Sequence, residues 1–118
     1  MMKLVYASRK GHVEELVKKL NYPDVLKIET GEEVVNEDYF LITYTDGKGI
    51  LPPVVETFVR NNLEGLKKAA VSGNMEKHAD TFCFAADRLL EIKNIEIVAR
   101  FDSAGDDATV ELIKNALR

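Results

Sequence analysis

The sequence predicts an α/β fold in which a five-stranded parallel sheet lies between two layers of helices. Short apolar runs typical of buried strands alternate with segments whose apolar residues recur at helical spacing, along all 118 residues. Such alternation favours a parallel sheet with right-handed crossover connections. The length suits one domain, so we expect residues 1–118 to form a single unit.

The first half of the chain predicts the order strand, helix, strand, strand, helix. The apolar run 3–7 precedes a helix whose buried face is marked by Val13, Leu16, Val17 and Leu20. Residues 25–29 are short and mixed in polarity, as in an edge strand, and no clear helix follows them. Residues 39–45 are almost all apolar, aromatic or β-branched, as in a central strand covered on both faces. Pro52 and Pro53 suit the first turn of a second helix.

The second half predicts two further strands, each followed by a helix. Residues 67–73 and 95–101 have the composition of strands, and Val110, Ile113 and Leu117 mark the last helix. A helix over 79–91 is predicted from the spacing of Ala79, Phe82, Cys83, Ala86, Leu89 and Leu90. The complete order is βαββαβαβα, for which the economical topology is a flavodoxin-like three-layer fold with strand order 2-1-3-4-5.

Three loops should meet at one edge of this sheet. Ligands of such folds bind beyond the carboxyl ends of the strands, where the winding reverses between strands 1 and 3. The loops that leave those ends are "SRKGHV" (8–13), "TDGKGI" (45–50) and "SGNMEKH" (72–78). We therefore expect the functional site between them, with Gly47 and Gly49 as the turning points of the second loop.

The first loop has the chemistry of a phosphate site. Backbone N–H groups at the start of a helix attract anions, Ser8 adds a hydroxyl, Lys10 and Arg9 add positive charge, and Gly11 permits close approach. An ordinary strand-to-helix turn capped by a serine is the alternative interpretation. The motifs of nucleoside triphosphate and dinucleotide sites are absent, which leaves a single phosphate monoester as the expected ligand group.

Composition excludes several functional classes. A net charge of −4 and a sequence pI near 5.2 argue against nucleic acid as a partner. No apolar stretch is long enough for a signal peptide or a membrane span, so we expect a cytoplasmic protein without a membrane partner. The single cysteine, Cys83, rules out an internal disulfide and is expected to be a buried structural thiol. Asp106 and Asp107 are expected to cap a helix, and no metal site is predicted.

A phospho-receiver domain is the competing small α/β fold with this strand order. It requires acidic residues after strand 1 and a lysine after strand 5, and the stretches "SRKG" and "RFDSAG" supply neither. We therefore disfavour this alternative.

The assembled loops resemble the NrdI family, the flavodoxin-like proteins that serve class Ib ribonucleotide reductase. The resemblance covers nearly the whole chain. It is carried by "SRKGHV" after strand 1, "LITYT" followed by "GKGILP", "SGN" after strand 4, the pattern F-x-x-A-A-D, and "RFDSAGDD" before the last helix.

The resemblance implies FMN as the cofactor, with its phosphate on the first loop and its ring between the other two. The implied phosphate contacts are Ser8, Arg9, Lys10, Gly11, His12 and Val13. The implied contacts in the ring loops are Thr45, Asp46, Gly47, Lys48, Gly49, Ser72, Gly73, Asn74, Met75 and His78.

The resemblance also implies a function as a redox partner rather than a free-standing enzyme. Reduced flavin would convert dioxygen to superoxide, which would support assembly of the dimanganese-tyrosyl radical cofactor in the small subunit of ribonucleotide reductase. A separate reductase would donate the electrons.

Four features depart from the family pattern. Lys10 and His12 stand where Thr and Asn are typical, Lys48 stands where an aromatic residue is often found, and Lys77 and His78 replace an aromatic-glycine pair in a loop one residue longer. From Lys48 and Lys77 we expect the reduced flavin to be stabilised relative to an aromatic-lined site. The alternative function is a flavodoxin-like interaction module whose FMN binding is weak or lost.

Overall fold

A computed structural model describes residues 2–47, 49–76 and 81–118, and its elements follow the predicted order. The strands and helices are β1 (Lys3–Tyr6), α1 (His12–Leu20), β2 (Val25–Lys27), β3 (Tyr39–Tyr44), α2 (Pro53–Asn61), β4 (Leu66–Gly73), α3 (Phe84–Ile92), β5 (Glu96–Asp102) and α4 (Asp107–Leu117).

The sheet has five strands in the order β2-β1-β3-β4-β5, and every neighbouring pair is parallel. This confirms the predicted flavodoxin-like topology. The central strand β3 lies between β1 and β4, with Leu41 opposite Val5 on one side and Ala69 on the other. Helices cover both faces of the sheet, so the consecutive residues Phe40 and Leu41 of β3, which lie on opposite faces, are both fully buried.

Alternate residues of β3 belong to two separate apolar layers. Tyr39 and Leu41 pack with the apolar sides of α2 and α3, whereas Phe40 and Ile42 pack with those of α1 and α4. In the first layer the rings of Tyr39 and Phe58 meet edge to face, with centroids 5.6 Å apart. The result is the three-layer arrangement that the sequence predicts.

The connection from β2 to β3 contains no helix and is held by polar contacts instead. The carboxylate of Glu33 accepts hydrogen bonds from the amides of Glu29, Thr30 and Gly31, at 2.8, 3.0 and 2.9 Å. The buried side chain of Asn62 accepts one from the amide of Val35 at 2.8 Å. These bonds satisfy backbone groups that a helix would otherwise pair internally.

The third helix begins later than the spacing of apolar residues predicts. α3 begins at Phe84, and the predicted residues Phe82 and Cys83 precede it. Cys83 has φ 56°, a left-handed conformation that cannot continue an α-helix. The prediction that Leu90 lies on the buried face was also wrong, because this side chain is exposed, while Ala85 is buried. Residues 79 and 80 lie outside the described ranges.

The two edge strands differ in length and regularity. β2 has three residues, as expected for a short edge strand. β5 is longer, but its register with β4 shifts: Ala69 lies opposite Ile97 and Ala70 opposite Ala99, so that Val98 forms a bulge. None of the helices within the described ranges is long and apolar enough to cross a membrane.

Candidate functional site

An open cleft lies at the carboxyl ends of β1, β3 and β4, and the space of about 710 Å³ between its walls includes open solvent. The predicted site residues that line it are Ser8, Arg9, Lys10, His12, Val13, Thr45, Gly47, Ser72, Gly73 and Asn74. The fold thus brings the three loops together around one space.

Not every predicted site residue lines this cleft. Gly11, Asp46, Gly49 and Met75 belong to its loops but do not form its walls. The predicted residues Lys48 and His78 lie outside the described ranges, as does Lys77.

Four lining residues were not predicted from the sequence: Tyr44, Thr81, Phe82 and Cys83. Phe82 was assigned to the core face of a helix, but it lies before α3 and its half-buried ring borders the cleft. It therefore contributes an aromatic surface from a position that the family pattern did not suggest. Tyr44 was expected only to pack within its strand. Its position at the carboxyl end of β3 was the feature of the sequence that could have predicted a place in the site.

The first loop presents unpaired backbone donors to the cleft. Gly11 has φ 91° and turns the chain into α1, and a Cβ atom placed on it would meet nothing within 4 Å. No group in the described ranges accepts a hydrogen bond from the amides of His12 and Val13, which open the helix. Exposed Lys10 stands beside them. This arrangement suits an anion.

Ser8 also contacts the start of the helix. Its Oγ accepts a hydrogen bond from the amide of Glu14 at 3.3 Å, in the first turn of the helix. The N-cap position itself is held by Gly11, which has no side chain, so Ser8 is not the capping residue that the alternative interpretation requires. The Glu14 carboxylate accepts hydrogen bonds from Lys27 Nζ at 2.8 Å and from the Tyr6 hydroxyl at 3.3 Å. The hydrogen bond from Lys27 holds the pKa of Glu14 below its usual value, so the carboxylate stays ionised. The positive charge of Lys27 partly offsets this negative charge near the first loop.

The second loop is a short antiparallel hairpin. Asp46 and Ile50 form a bridge in which each amide donates to the other's carbonyl at 2.9 Å. Gly47 and Gly49 both have positive φ, at 46° and 90°, but they have different surroundings. A Cβ on Gly47 would meet open space, whereas one on Gly49 would lie 2.9 Å from the Cβ of Phe84. Gly47 therefore borders the cleft, and Gly49 packs the hairpin against the start of α3.

A side-chain contact joins the first two loops. The Nη1 atom of Arg9 lies 2.7 Å from Oδ1 of Asp46, and its guanidinium carbon lies 5.3 Å from the centre of the Tyr44 ring. The same Asp46 oxygen accepts a hydrogen bond from the amide of Gly47 at 2.9 Å. Partial burial raises the pKa of the Tyr44 hydroxyl, so this ring is neutral under ordinary conditions.

The third loop is fixed to its neighbours by hydrogen bonds. The carbonyl of Ser72 accepts from both the amide and the hydroxyl of Thr45, at 2.9 and 3.0 Å, while the Ser72 hydroxyl donates to the carbonyl of Ser103. The amide of Ser103 in turn donates to the carbonyl of Gly73 at 2.9 Å. These bonds fix the backbone of the loop next to the cleft.

Cys83 has the structural role that the sequence predicts. Its side chain is fully buried, and its Sγ donates to the carbonyls of Val71 and Phe101 at 3.4 and 3.6 Å. Burial raises the pKa of the thiol to about 11. A thiol that remains protonated at neutral pH is a poor nucleophile.

The cleft combines two kinds of chemistry. The first loop supplies anion-binding groups, whereas Phe82, Tyr44 and the backbone of the other loops supply flat apolar and polar walls. No cluster of three potential metal ligands occurs within the part of the chain that the structure describes. The arrangement suits a ligand with an anionic end and a planar end.

Comparison with known proteins identifies the family. A family model described as NrdI flavodoxin-like matches residues 4–115. The chain belongs to the NrdI family. This membership confirms the resemblance inferred from the loops, and it extends from β1 to α4.

Individual NrdI proteins are similar over nearly their whole length. Protein NrdI of Bacillus licheniformis is 33% identical over 112 residues, which cover 95% of this chain and 84% of the relative. The SPbeta prophage-derived protein NrdI of Bacillus subtilis is 30% identical, with 93% and 86% covered. A solved flavodoxin of Streptococcus pneumonia TIGR4 has a TM-score of 0.65 at 23% identity and covers 97% of this chain and 92% of its own, which shows the shared fold.

Proposed function

We propose that this protein binds FMN in the cleft and acts as a redox partner of the ribonucleotide reductase small subunit. Its role would be to supply superoxide, or electrons, for assembly of the dimanganese-tyrosyl radical cofactor of that subunit, with a separate reductase as electron donor. The observation that carries the proposal is the cleft itself. It joins an anion-binding helix start to an aromatic wall at the topological switch point of an NrdI-family chain.

The residues present fit FMN at both ends. The amides of His12 and Val13, the side chain of Lys10 and the hydroxyl of Ser8 would hold the phosphate. Phe82 would face the ring system, and Gly47 and Gly73 leave the adjoining backbone free of side chains. When bound, FMN supplies electron transfer and the reduction of dioxygen to superoxide. The protein's share is to bind and orient the cofactor.

Exposed apolar side chains near the cleft are consistent with a protein partner. Ile50 in the second loop, Met75 in the third and Phe84 at the start of α3 are 45%, 47% and 40% exposed. Gly49 packs on Phe84, so the second loop lies beside the start of α3. We propose that these side chains belong to the surface that meets the reductase subunit, and that the interaction takes place in the cytoplasm.

An interaction module with weak or lost FMN binding is the second candidate. It is favoured by the contact between Arg9 and Tyr44, because one of the two described aromatic side chains that line the cleft already has a guanidinium over its ring. In that case the protein partner would be retained and the cofactor would not.

Titration with FMN, followed by the quenching of flavin fluorescence, separates the two candidates. Binding that saturates at one FMN per chain supports the flavoprotein. A colourless protein that leaves the fluorescence unchanged contradicts it. Capture of the purified reductase small subunit, with and without FMN, then tests the partner, and failure in both states would refute the proposed role in radical assembly.

A further inference from the structure

Arg9, Asp46 and Tyr44 form a clasp between the first and second loops of the cleft. The Arg9 guanidinium contacts the Asp46 carboxylate at 2.7 Å and lies 5.3 Å from the Tyr44 ring centre. Arg9 lies in the connection between β1 and α1, Tyr44 is the last residue of β3, and Asp46 belongs to the hairpin that follows β3. The clasp is therefore a tertiary link across the topological switch point.

The carboxylate of Asp46 connects the clasp to the hairpin backbone. Its Oδ1 accepts hydrogen bonds from Arg9 and from the amide of Gly47, and its main chain forms both bonds of the bridge to Ile50. The Asp46 side chain is 22% exposed, so it is partly shielded from solvent. Asp46 thus connects the Arg9 guanidinium to the base of the second loop.

The clasp also separates the cleft from a second one. Ser8, Arg9 and Tyr44 line both, and the second cleft continues over Lys27, Ile28 and Val54 on the β2 side. Arg9 and Tyr44 are consequently part of the wall of the candidate cofactor site, and with Asp46 they link its loops.

We propose that Arg9 is a positioning residue, which preorganises the second loop through Asp46 and couples it to the first loop. Arg9 acts on the ring end of the ligand through the hairpin and does not serve mainly as a phosphate ligand. The ligand-binding part of this inference rests on the proposed function, whereas its structural part concerns the free protein.

Hydrogen exchange in the ligand-free protein tests the structural part. The amides of Asp46 and Ile50 should exchange about threefold to tenfold faster in Arg9→Gln and in Asp46→Asn than in the unmodified chain. The double variant should be no faster than either single variant, and Arg9→Lys, which keeps the charge, should recover part of the protection. Arg60→Gln is the matched control, because Arg60 forms an exposed ion pair with Glu56 on α2.

Two results would overturn the clasp. One is an exchange rate that stays unchanged in Arg9→Gln; the other is a double variant in which the rate increases of the two single variants multiply. Neither result depends on flavin. If the unmodified chain binds neither FMN nor riboflavin, the proposed function fails and the exchange data alone decide the inference.

Comparison of FMN with riboflavin, which lacks the phosphate, tests the coupling. A clasp predicts that Arg9→Gln and Asp46→Asn each weaken both ligands by a similar factor of about three to ten. A phosphate ligand would instead give weaker FMN binding in Arg9→Gln alone, with riboflavin unchanged and Asp46→Asn neutral. That second pattern would overturn the assignment of Arg9 as a positioning residue.

Discussion

Gly73 lies directly against Cys83 in the wall of the cleft. A Cβ atom on Gly73 would be 2.9 Å from the amide nitrogen of Cys83 and 3.0 Å from its Sγ. Gly73 is the last residue of β4, and its requirement for glycine comes from this close approach.

Replacement of Gly73 by alanine should therefore push the segment 82–83 outward. We expect a loss of about 1–3 kcal/mol in the free energy of unfolding, the usual cost of an overpacked core, and weaker flavin binding because Phe82 moves with Cys83. Urea denaturation measures the first effect and fluorescence titration the second. In a Cys83→Ala background the same substitution should cost less, and an equal cost in both backgrounds would show that Sγ is not the obstacle.

The buried thiol of Cys83 predicts a stability that falls at high pH. Burial raises the pKa of this thiol to about 11 in the folded chain, from an ordinary value of 9.0 that applies to the unfolded chain. Between these values the unfolded chain loses the thiol proton while the folded chain keeps it, so the unfolded state binds fewer protons and stability decreases as pH rises.

The size of this effect follows from the two pKa values. Each pKa unit corresponds to about 1.4 kcal/mol, so the two units of this window correspond to a loss of about 3 kcal/mol. Urea unfolding of the unmodified chain and of Cys83→Ala, each at pH 8 and pH 10.5, isolates the contribution of the thiol. The other titrating groups are present in both proteins, so their effects cancel in the difference. A stability difference between the two that stays constant with pH would contradict the prediction.

Lys10 should favour FMN over riboflavin through its charge. Lys10 is exposed next to the amides of His12 and Val13, which have no partner among the described residues, so Lys10→Gln removes a positive charge near the proposed phosphate position. We expect FMN binding to weaken about threefold to tenfold at low salt, and less at high salt, with riboflavin unaffected. Lys19→Gln, near the other end of α1, is the control. Equal loss for both flavins would argue against a phosphate on this loop.

Asn62, which caps the end of α2, should be the polar side chain on which the helix-free connection between β2 and β3 depends most. It is 7% exposed, its Nδ2 donates to the carbonyls of Glu33 and Phe58 at 2.9 Å, and its Oδ1 accepts from the amide of Val35. Asn62→Ala leaves buried backbone groups unpaired, which should cost about 2–4 kcal/mol in urea denaturation. Exposed Asn61 provides the control, for which Asn61→Ala should change stability by less than about 0.5 kcal/mol. Similar values for both would show that the connection does not depend on Asn62.

Sequence periodicity predicted the elements and the order of the sheet because each strand and helix buries a regular apolar face. The almost unbroken apolar run of β3 marked it as central, and the short polar β2 marked it as an edge. The carboxyl ends of the strands then located the cleft without any knowledge of side-chain contacts.

The start of α3 could not be predicted in the same way. Phe82 and Cys83 fit the helical spacing of Ala86 and Leu89. The neighbouring sequence does not predict the left-handed conformation of Cys83, because residues other than glycine and asparagine seldom adopt it. The packing of Cys83 against Gly73 and its hydrogen bonds to two strands hold it there. For the same reason the aromatic surface of Phe82 was missed, because its position depends on contacts between distant segments.

The contact between Arg9 and Asp46 could not be predicted from the sequence either. Both residues were predicted at the site, but as separate contacts of a ligand. They are 37 positions apart, and only the parallel pairing of β1 with β3 brings their loops into reach of each other. The separate roles of Gly47 and Gly49 likewise depend on α3, which follows much later in the chain.

The bulge at Val98 affects how the molecule behaves at high concentration. An exposed strand of seven regular residues would offer a row of free amides and carbonyls to any extended chain. The extra residue interrupts that row, and at the opposite edge β2 offers three residues ending in Lys27. Both borders of the sheet thus carry features that disfavour edge-to-edge addition of further strands, so amyloid-like association of the folded chain is opposed at each edge.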